Sequence, residues 1–392
     1  MEIWKRILVF EMMLSLGLMG CLVNGFGGGG GVPQRRCWFP AVYNFGDSNS
    51  DTGGRSAALG EVRPPNGETF FGKPSGRYCD GRLVIDFIAE NLGLPYLNAY
   101  LDSIGTSFRH GANFATAGSS ILPGGYSPFF LDIQISQFIQ FKKRTIALYN
   151  KLAGTNQVYK DVLPRPEEFP KSLYTFDIGQ NDLSHGFQYS NASQTLQSIP
   201  KMMDKFSQAL YILILNSIYA PNANGRFHAL FPQQLYGEGA RNFWIHNTGP
   251  IGCLPSSVAY NKDNHNNVDN TGCAATQNRV AQEFNRQLKT RVLQLRAHLP
   301  QAVFIVVDMY SAKYAVVSNA GSHGFQDPFS FCCCGKKQMA NETGYGDPCS
   351  DPSRHISWDG VHYSEAANLI LARSVMYGSF SDPPLPVAEA CR

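Results

Sequence analysis

Four short apolar runs punctuate the chain: Ala41 to Phe45, Ser172 to Ile178, Phe243 to His246 and Val303 to Val307. Each is built from aliphatic or aromatic residues and ends in polar or turn-forming ones, which predicts buried strands. Between them the period changes. Val280, Phe284, Leu288, Val292, Leu295 and Leu299 recur at spacings of three and four, with Arg, Gln and Lys on the other face. That is the stripe of an amphipathic helix. Ile199 to Ile218 and Leu83 to Leu92 predict two more helices. Strands alternating with helices imply a layered α/β domain with a parallel sheet. There is no internal repeat and no interdomain linker. The polar stretches Asn261 to Thr271 and Ser318 to Pro352 read as loops of that one domain.

The N-terminus follows a different pattern. Lys5 and Arg6 precede an apolar run from Ile7 to Val23, and small Gly25 offers a cleavage position. This is the layout of a secretory leader over residues 1–25. Glu11 inside the run, and its short length, argue against a membrane anchor. Gly27 to Gly31 is a flexible tether, so residues 26–36 are expected outside the fold and residues 37–392 are expected to form it. No other stretch is apolar enough to span a bilayer. With 43% hydrophobic and 16% charged residues the chain is globular, and a net charge of +3 gives no reason to expect nucleic acid or an anionic membrane as partner.

Cysteine usage fits export. Setting Cys21 aside with the leader leaves an odd number, so one cannot pair within the chain. The expected pairs are Cys253 with Cys273, and Cys349 with one of Cys332, Cys333 and Cys334. His323 and His355 flank that run, but no C-x-x-C spacing supports zinc. Asn191-Ala-Ser193 and Asn341-Glu-Thr343 match the N-glycosylation sequon.

Four segments carry chemistry. Gly46-Asp47-Ser48-Asn49-Ser50 directly follows the first expected strand, at the carboxyl end where open α/β sheets place their sites. Ser48 there can present a hydroxyl and its own N–H, although Ser and Asp at such turns also serve as helix caps. In Asn113-Phe114-Ala115-Thr116-Ala117-Gly118-Ser119-Ser120, the unobstructed N–H of Gly118 suits an oxyanion. Asn181, in Asp177-Ile178-Gly179-Gln180-Asn181-Asp182, offers a neutral amide donor. Alone, either segment reads as an ordinary turn. Finally, Asp359-Gly360-Val361-His362 separates a carboxylate and an imidazole by two residues, so one tight turn can present both to a distant serine.

The order of these segments resembles the SGNH hydrolase superfamily, and within it the plant GDSL esterase/lipase family. The resemblance runs from about Cys37 to the C-terminus and extends to Phe39-Pro40-Ala41, Ser75-Gly76-Arg77, Asp80-Gly81-Arg82 and Asn247-Thr248-Gly249-Pro250-Ile251-Gly252-Cys253. It implies a flavodoxin-like three-layer α/β/α fold around a central parallel sheet. It also implies a Ser48–His362–Asp359 triad, an oxyanion hole from Ser48, Gly118 and Asn181, and no metal or organic cofactor. Asn49 stands where the family name has Leu, Ser364 where Thr is usual, and the cysteine run is one residue longer. Tyr174 to Leu183 and Phe243 to Thr248 resemble the subgroup of early nodulin esterases, glycan or glycoside acetylesterases and fucosidase-labelled proteins. The resemblance implies a secreted enzyme of the cell wall or apoplast that acts on short-chain, acetyl esters of small molecules or glycans.

Three other readings compete. A lipase would act on acylglycerols, yet no amphipathic segment reads as an interfacial lid. A glycosidase would need two carboxylates flanking the scissile bond, a pair the sequence does not single out. A non-catalytic glycan-binding wall protein would have no reason to fill every catalytic position. The ordinary α/β-hydrolase pattern fails because Ser48 lacks the second Gly of G-x-S-x-G.

Overall fold

The computed structural model describes residues 37–151, 160–210, 239–261, 265–334, 336–338, 343–345 and 348–391. The leader, the tether, Asn341 and the last part of the helix expected up to Ile218 lie outside the described residues.

Six strands form the main sheet: β1 Val42–Gly46, β2 Gly111–Asn113, β3 Leu173–Asp177, β4 Asn242–His246, β5 Val303–Val307 and β6 Ser381–Asp382. The spatial order is β2-β1-β3-β4-β5-β6. The first five run parallel, and β6 adds to β5 antiparallel. The expected central parallel sheet is present, and it carries one antiparallel edge strand of a kind common on such sheets. A two-residue strand has no alternation to reveal it. A small hairpin of Lys336–Gln338 and Thr343–Tyr345 lies apart, within the long polar loop.

Among the described residues, the helices of eight residues or more are α1 Val84–Asn91, α2 Leu131–Lys151, α3 Gln180–Tyr189, α4 Ala192–Leu210, α5 Ala275–His298, α6 Met309–Ser318 and α7 Glu365–Met376. The strand period of two sorts the core. Tyr43, Phe45, Tyr174, Phe176, Phe243 and Phe304 pack on one face against α2, α4 and α5. Val42, Leu173, Trp244, Ile305 and Val307 pack on the other against α1, α6 and α7. Every residue of β1, β3 and β4 is buried, as a sheet covered on both faces requires.

The helix expected from Val280 to Leu299 buries its stripe as the spacing requires, and its C-cap Leu299 is also buried. The helix expected from Ile199 starts earlier, because the Asn191 side chain accepts from Gln194 N at 3.0 Å and caps a start at Ala192. Asn191 is exposed.

Among the described residues, disulfides join Cys37 to Cys391, Cys253 to Cys273, Cys332 to Cys349 and Cys333 to Cys334. Both expected pairs are among them. Among the described residues the unpaired cysteine is Cys79, buried against α7, where Asn368 Nδ2 lies 3.5 Å from its sulfur. Burial, then the neighbouring Asp80 charge, push its thiol well above the usual range. No helix among the described residues is long and apolar enough to cross a membrane.

Candidate active site

β1 sits between β2 and β3, so the loop after it opens at the point where strand order reverses. Ser48 lies in that loop and is held from several sides. Gly46 exchanges hydrogen bonds with the Gln134 amide, at 2.9 and 2.8 Å. A Cβ on Gly46 would fall 2.5 Å from the Asp177 carbonyl, so only glycine fits. Asp51 accepts from the N–H groups of Gly53, Gly54 and Arg55, and reaches across to Ala117 N at 2.8 Å. One buried carboxylate thus ties the Ser48 loop to the segment that ends in Gly118.

The Asp359–His362 turn comes from the other end of the chain. Asp359 Oδ1 accepts from Val361 N at 2.9 Å and His362 N at 2.7 Å, while Trp358 N donates to His362 O at 2.7 Å. Trp358 is buried and anchors the turn through Nε1–H to Asn66, at 2.9 Å. In this turn Asp359 Oδ2 is 2.6 Å from His362 Nδ1, and His362 Nε2 is 2.7 Å from Ser48 Oγ. An ionised carboxylate only accepts, so Nδ1 carries the proton and Nε2 presents its lone pair to the Ser48 hydroxyl. The Tyr78 ring packs 5.2 Å from the imidazole.

Burial alone would lower the His362 pKa. The charge and hydrogen bond of Asp359, joined by the charge of Asp47, outweigh it and raise the imidazole above its ordinary value. Burial alone would raise Asp359. The His362 charge and hydrogen bond, with the two backbone N–H donors, bring it below the usual carboxylate range.

Gly118 lies on the segment after β2 with φ +83°, a conformation that favours glycine. The Asn181 amide, in the first turn of α3, donates to Ser119 O at 2.9 Å, beside Gly118. Asp182 accepts from Ile121 N at 2.7 Å and Leu122 N at 2.9 Å, fastening the same loop to the same helix. Burial pushes Asp182 up to about 7 against the pull of these N–H donors.

Sequence reasoning missed a group of buried charges beneath the serine. Asp47 is fully buried. Asn49 donates to its Oδ1 from N and Nδ2, at 3.0 and 2.9 Å, and Oδ2 has no hydrogen-bond partner among the described residues. Burial and the adjacent Asp177 push Asp47 up to about 7. His246 Nδ1–H faces Asp177 Oδ2 at 3.2 Å, with its tautomer fixed by Trp244 Nε1–H at 3.2 Å from Nε2. Burial would raise Asp177, but His246 and Lys313 bring it below its ordinary value. Lys313, only 5% exposed, shares a small cavity with Asp177, His362 and Tyr363. Burial lowers its pKa, against the charges of Asp177 and Asp47. The available signal was a lysine among Met309, Ala312, Val316 and Val317, on the apolar stripe of α6.

A family model described as GDSL-like lipase/acylhydrolase matches residues 42–375. The chain belongs to this family. The GDSL hydrolase is 46% identical over 379 residues to the GDSL esterase/lipase ACHE of Zea mays, covering 91% of this chain and 89% of that protein. It is 43% identical over 366 residues to alpha-L-fucosidase 3 of Arabidopsis thaliana, covering 88% and 91%. It is 39% identical over 379 residues to the GDSL esterase/lipase ENOD8 of Medicago truncatula, covering 91% of each. The resemblance read from the motifs is borne out, and the GDSL hydrolase is a carboxylic ester hydrolase.

Proposed function

We propose that Ser48 is the nucleophile of a secreted plant esterase, with His362 as its base and Asp359 orienting the imidazole. The observation that carries this reading is the unbroken Asp359–His362–Ser48 hydrogen-bond chain, at 2.6 and 2.7 Å. His362 Nε2 takes the Ser48 proton as Oγ attacks the ester carbonyl. The N–H groups of Ser48 and Gly118 and the Asn181 amide hold the oxyanion. The protonated imidazole then gives its proton to the departing alcohol. Water, deprotonated in turn by His362, cleaves the acyl-enzyme, releases the acid and restores the Ser48 hydroxyl.

The proposed substrates are acetyl esters of plant glycans or glycosides. Support comes from the subgroup resemblance at Tyr174 to Leu183 and Phe243 to Thr248. Export to the cell wall or apoplast is supported by the leader pattern and four disulfides. Asn191 and Asn341 are the proposed glycosylation sites.

Two measurements test this. On 4-nitrophenyl acetate, Ser48→Ala and His362→Ala each remove nearly all turnover, and the double variant loses little more, because a triad acts as a unit. Across acetyl to octanoyl esters, kcat/KM falls beyond butyryl. A steady rise of kcat/KM, without acetate release from any acetylated glycan or glycoside, assigns a lipase instead. Release of fucose without release of acetate assigns a glycosidase.

A further inference from the structure

Helix α3 begins beside the ester site and runs away from it. Asn181, His185 and Tyr189 recur every four residues and therefore share one face. From Asn181 to Tyr189 that face extends about 12 Å, at 1.5 Å of rise per residue. It is lined with aromatic rings. His185 packs 4.4 Å from Tyr189, and Tyr126 meets His185 edge-on at 5.5 Å. Tyr126 comes from the loop on the Gly118 side. A Cβ built on Gly118 would lie 3.1 Å from the Tyr126 Cβ, so Tyr126 stands directly against the glycine. Its hydroxyl donates to Gln188 Oε1 at 2.8 Å and lies 3.3 Å from Ser184 Oγ, which lays the side chain along α3.

These rings are not core. Tyr126 is 39% exposed and Tyr189 66% exposed. The aromatic residues of the core, by contrast, are buried in stacked pairs such as Phe45 with Phe176. Among the described residues the ledge contains no Asp, Glu, Lys or Arg side chain, and its polar groups are hydroxyl, amide and imidazole. Such a surface suits a neutral ring with apolar faces and a hydroxylated edge.

We infer that the Tyr126–His185–Tyr189 ledge is a sugar-binding subsite that holds the alcohol part of the ester beside Gly118 and Asn181. This rests on the proposed oxyanion hole and on the acetyl-glycan reading, and it deepens both. A sugar ring lies on Tyr126 and the next ring of an oligosaccharide extends toward Tyr189. Asn191, two residues beyond Tyr189, carries a glycosylation sequon, so the protein's own glycan is a rival occupant of the outer end.

The test compares kcat/KM for acetylated xylotetraose with kcat/KM for 4-nitrophenyl acetate, all in an Asn191→Gln background that removes the rival. Tyr126→Ala keeps the Cβ that backs Gly118. This variant and Tyr189→Ala each lower the oligosaccharide-to-aryl ratio about three- to tenfold, the size of one ring-stacking contact. Tyr126→Phe keeps the ratio. An unchanged ratio in both alanine variants, or equal losses on both substrates, overturns the ledge while leaving the esterase reading intact. A wild-type enzyme that cleaves the aryl ester but neither this nor any other acetylated glycan overturns the ledge and the glycan reading together.

Discussion

The ammonium of Lys313 lies 4.7 Å from the centre of the buried Tyr363 ring, one residue beyond His362. It is a positive charge that shares a cavity with the imidazole of the proposed base. Asp359 and Asp47 hold the imidazolium, and Lys313 opposes it. The proposed base is competent only when neutral, so kcat/KM falls as pH drops through the His362 value, which lies above the ordinary 6.5. Lys313→Met moves this acid limb to higher pH, and Asp47→Asn moves it lower. The pH profiles of the two variants check this, and limbs that coincide with the wild type contradict it.

Asp47 also links stability to pH. Its folded value of about 7 exceeds the unfolded 3.8, so the folded state binds the proton more tightly. Stability therefore falls as pH rises from about 3.8 to about 7. Asp47→Asn removes that loss. Its Tm equals or trails the wild type near pH 4 and exceeds it at pH 8, as thermal melts at both pH values will show. A gain confined to acid pH would refute the sign.

The Asn181 amide is already oriented by Ser119 O in the resting site. Asn181→Ala lowers kcat about 100- to 1,000-fold with little change in KM, the effect of losing one oxyanion donor. A rise in KM at constant kcat assigns Asn181 to ground-state binding instead.

Cys37 and Cys391 are 354 residues apart in sequence, and their bond joins the two ends of the fold. Cys391→Ser lowers stability by about 2–5 kcal/mol, seen as a shifted denaturation midpoint. A separate labelling experiment on the wild-type protein, under non-reducing conditions, tests Cys79. Among the described cysteines, a thiol reagent labels none in the folded protein and only Cys79 once it is unfolded. A reactive thiol in the native state contradicts the buried assignment.

Much of this was legible in the chain. β1, β3, β4 and β5 are apolar runs long enough to register, and the α5 stripe is regular. The residues of the proposed triad stood out because Ser48 follows a strand and a single turn carries both Asp359 and His362. β2 did not, because Gly-Ala-Asn is short and has no apolar period, and two-residue β6 fared no better. The Asp177–His246 and Lys313 contacts depend on neighbouring strands and on a helix laid over them. Nothing local in the sequence encodes that meeting. The Cys37–Cys391 bond was hidden for the same reason, since connectivity follows from where the chain ends meet.

The central claim is that Ser48 is the nucleophile, and covalent labelling tests it most directly. The purified enzyme is treated with a fluorophosphonate, and the modified peptide is located by mass spectrometry. The account predicts one adduct per chain, on Ser48, formed in step with loss of esterase activity and absent from His362→Ala. Loss of activity with the adduct on another residue, or full activity with Ser48 labelled, would contradict it.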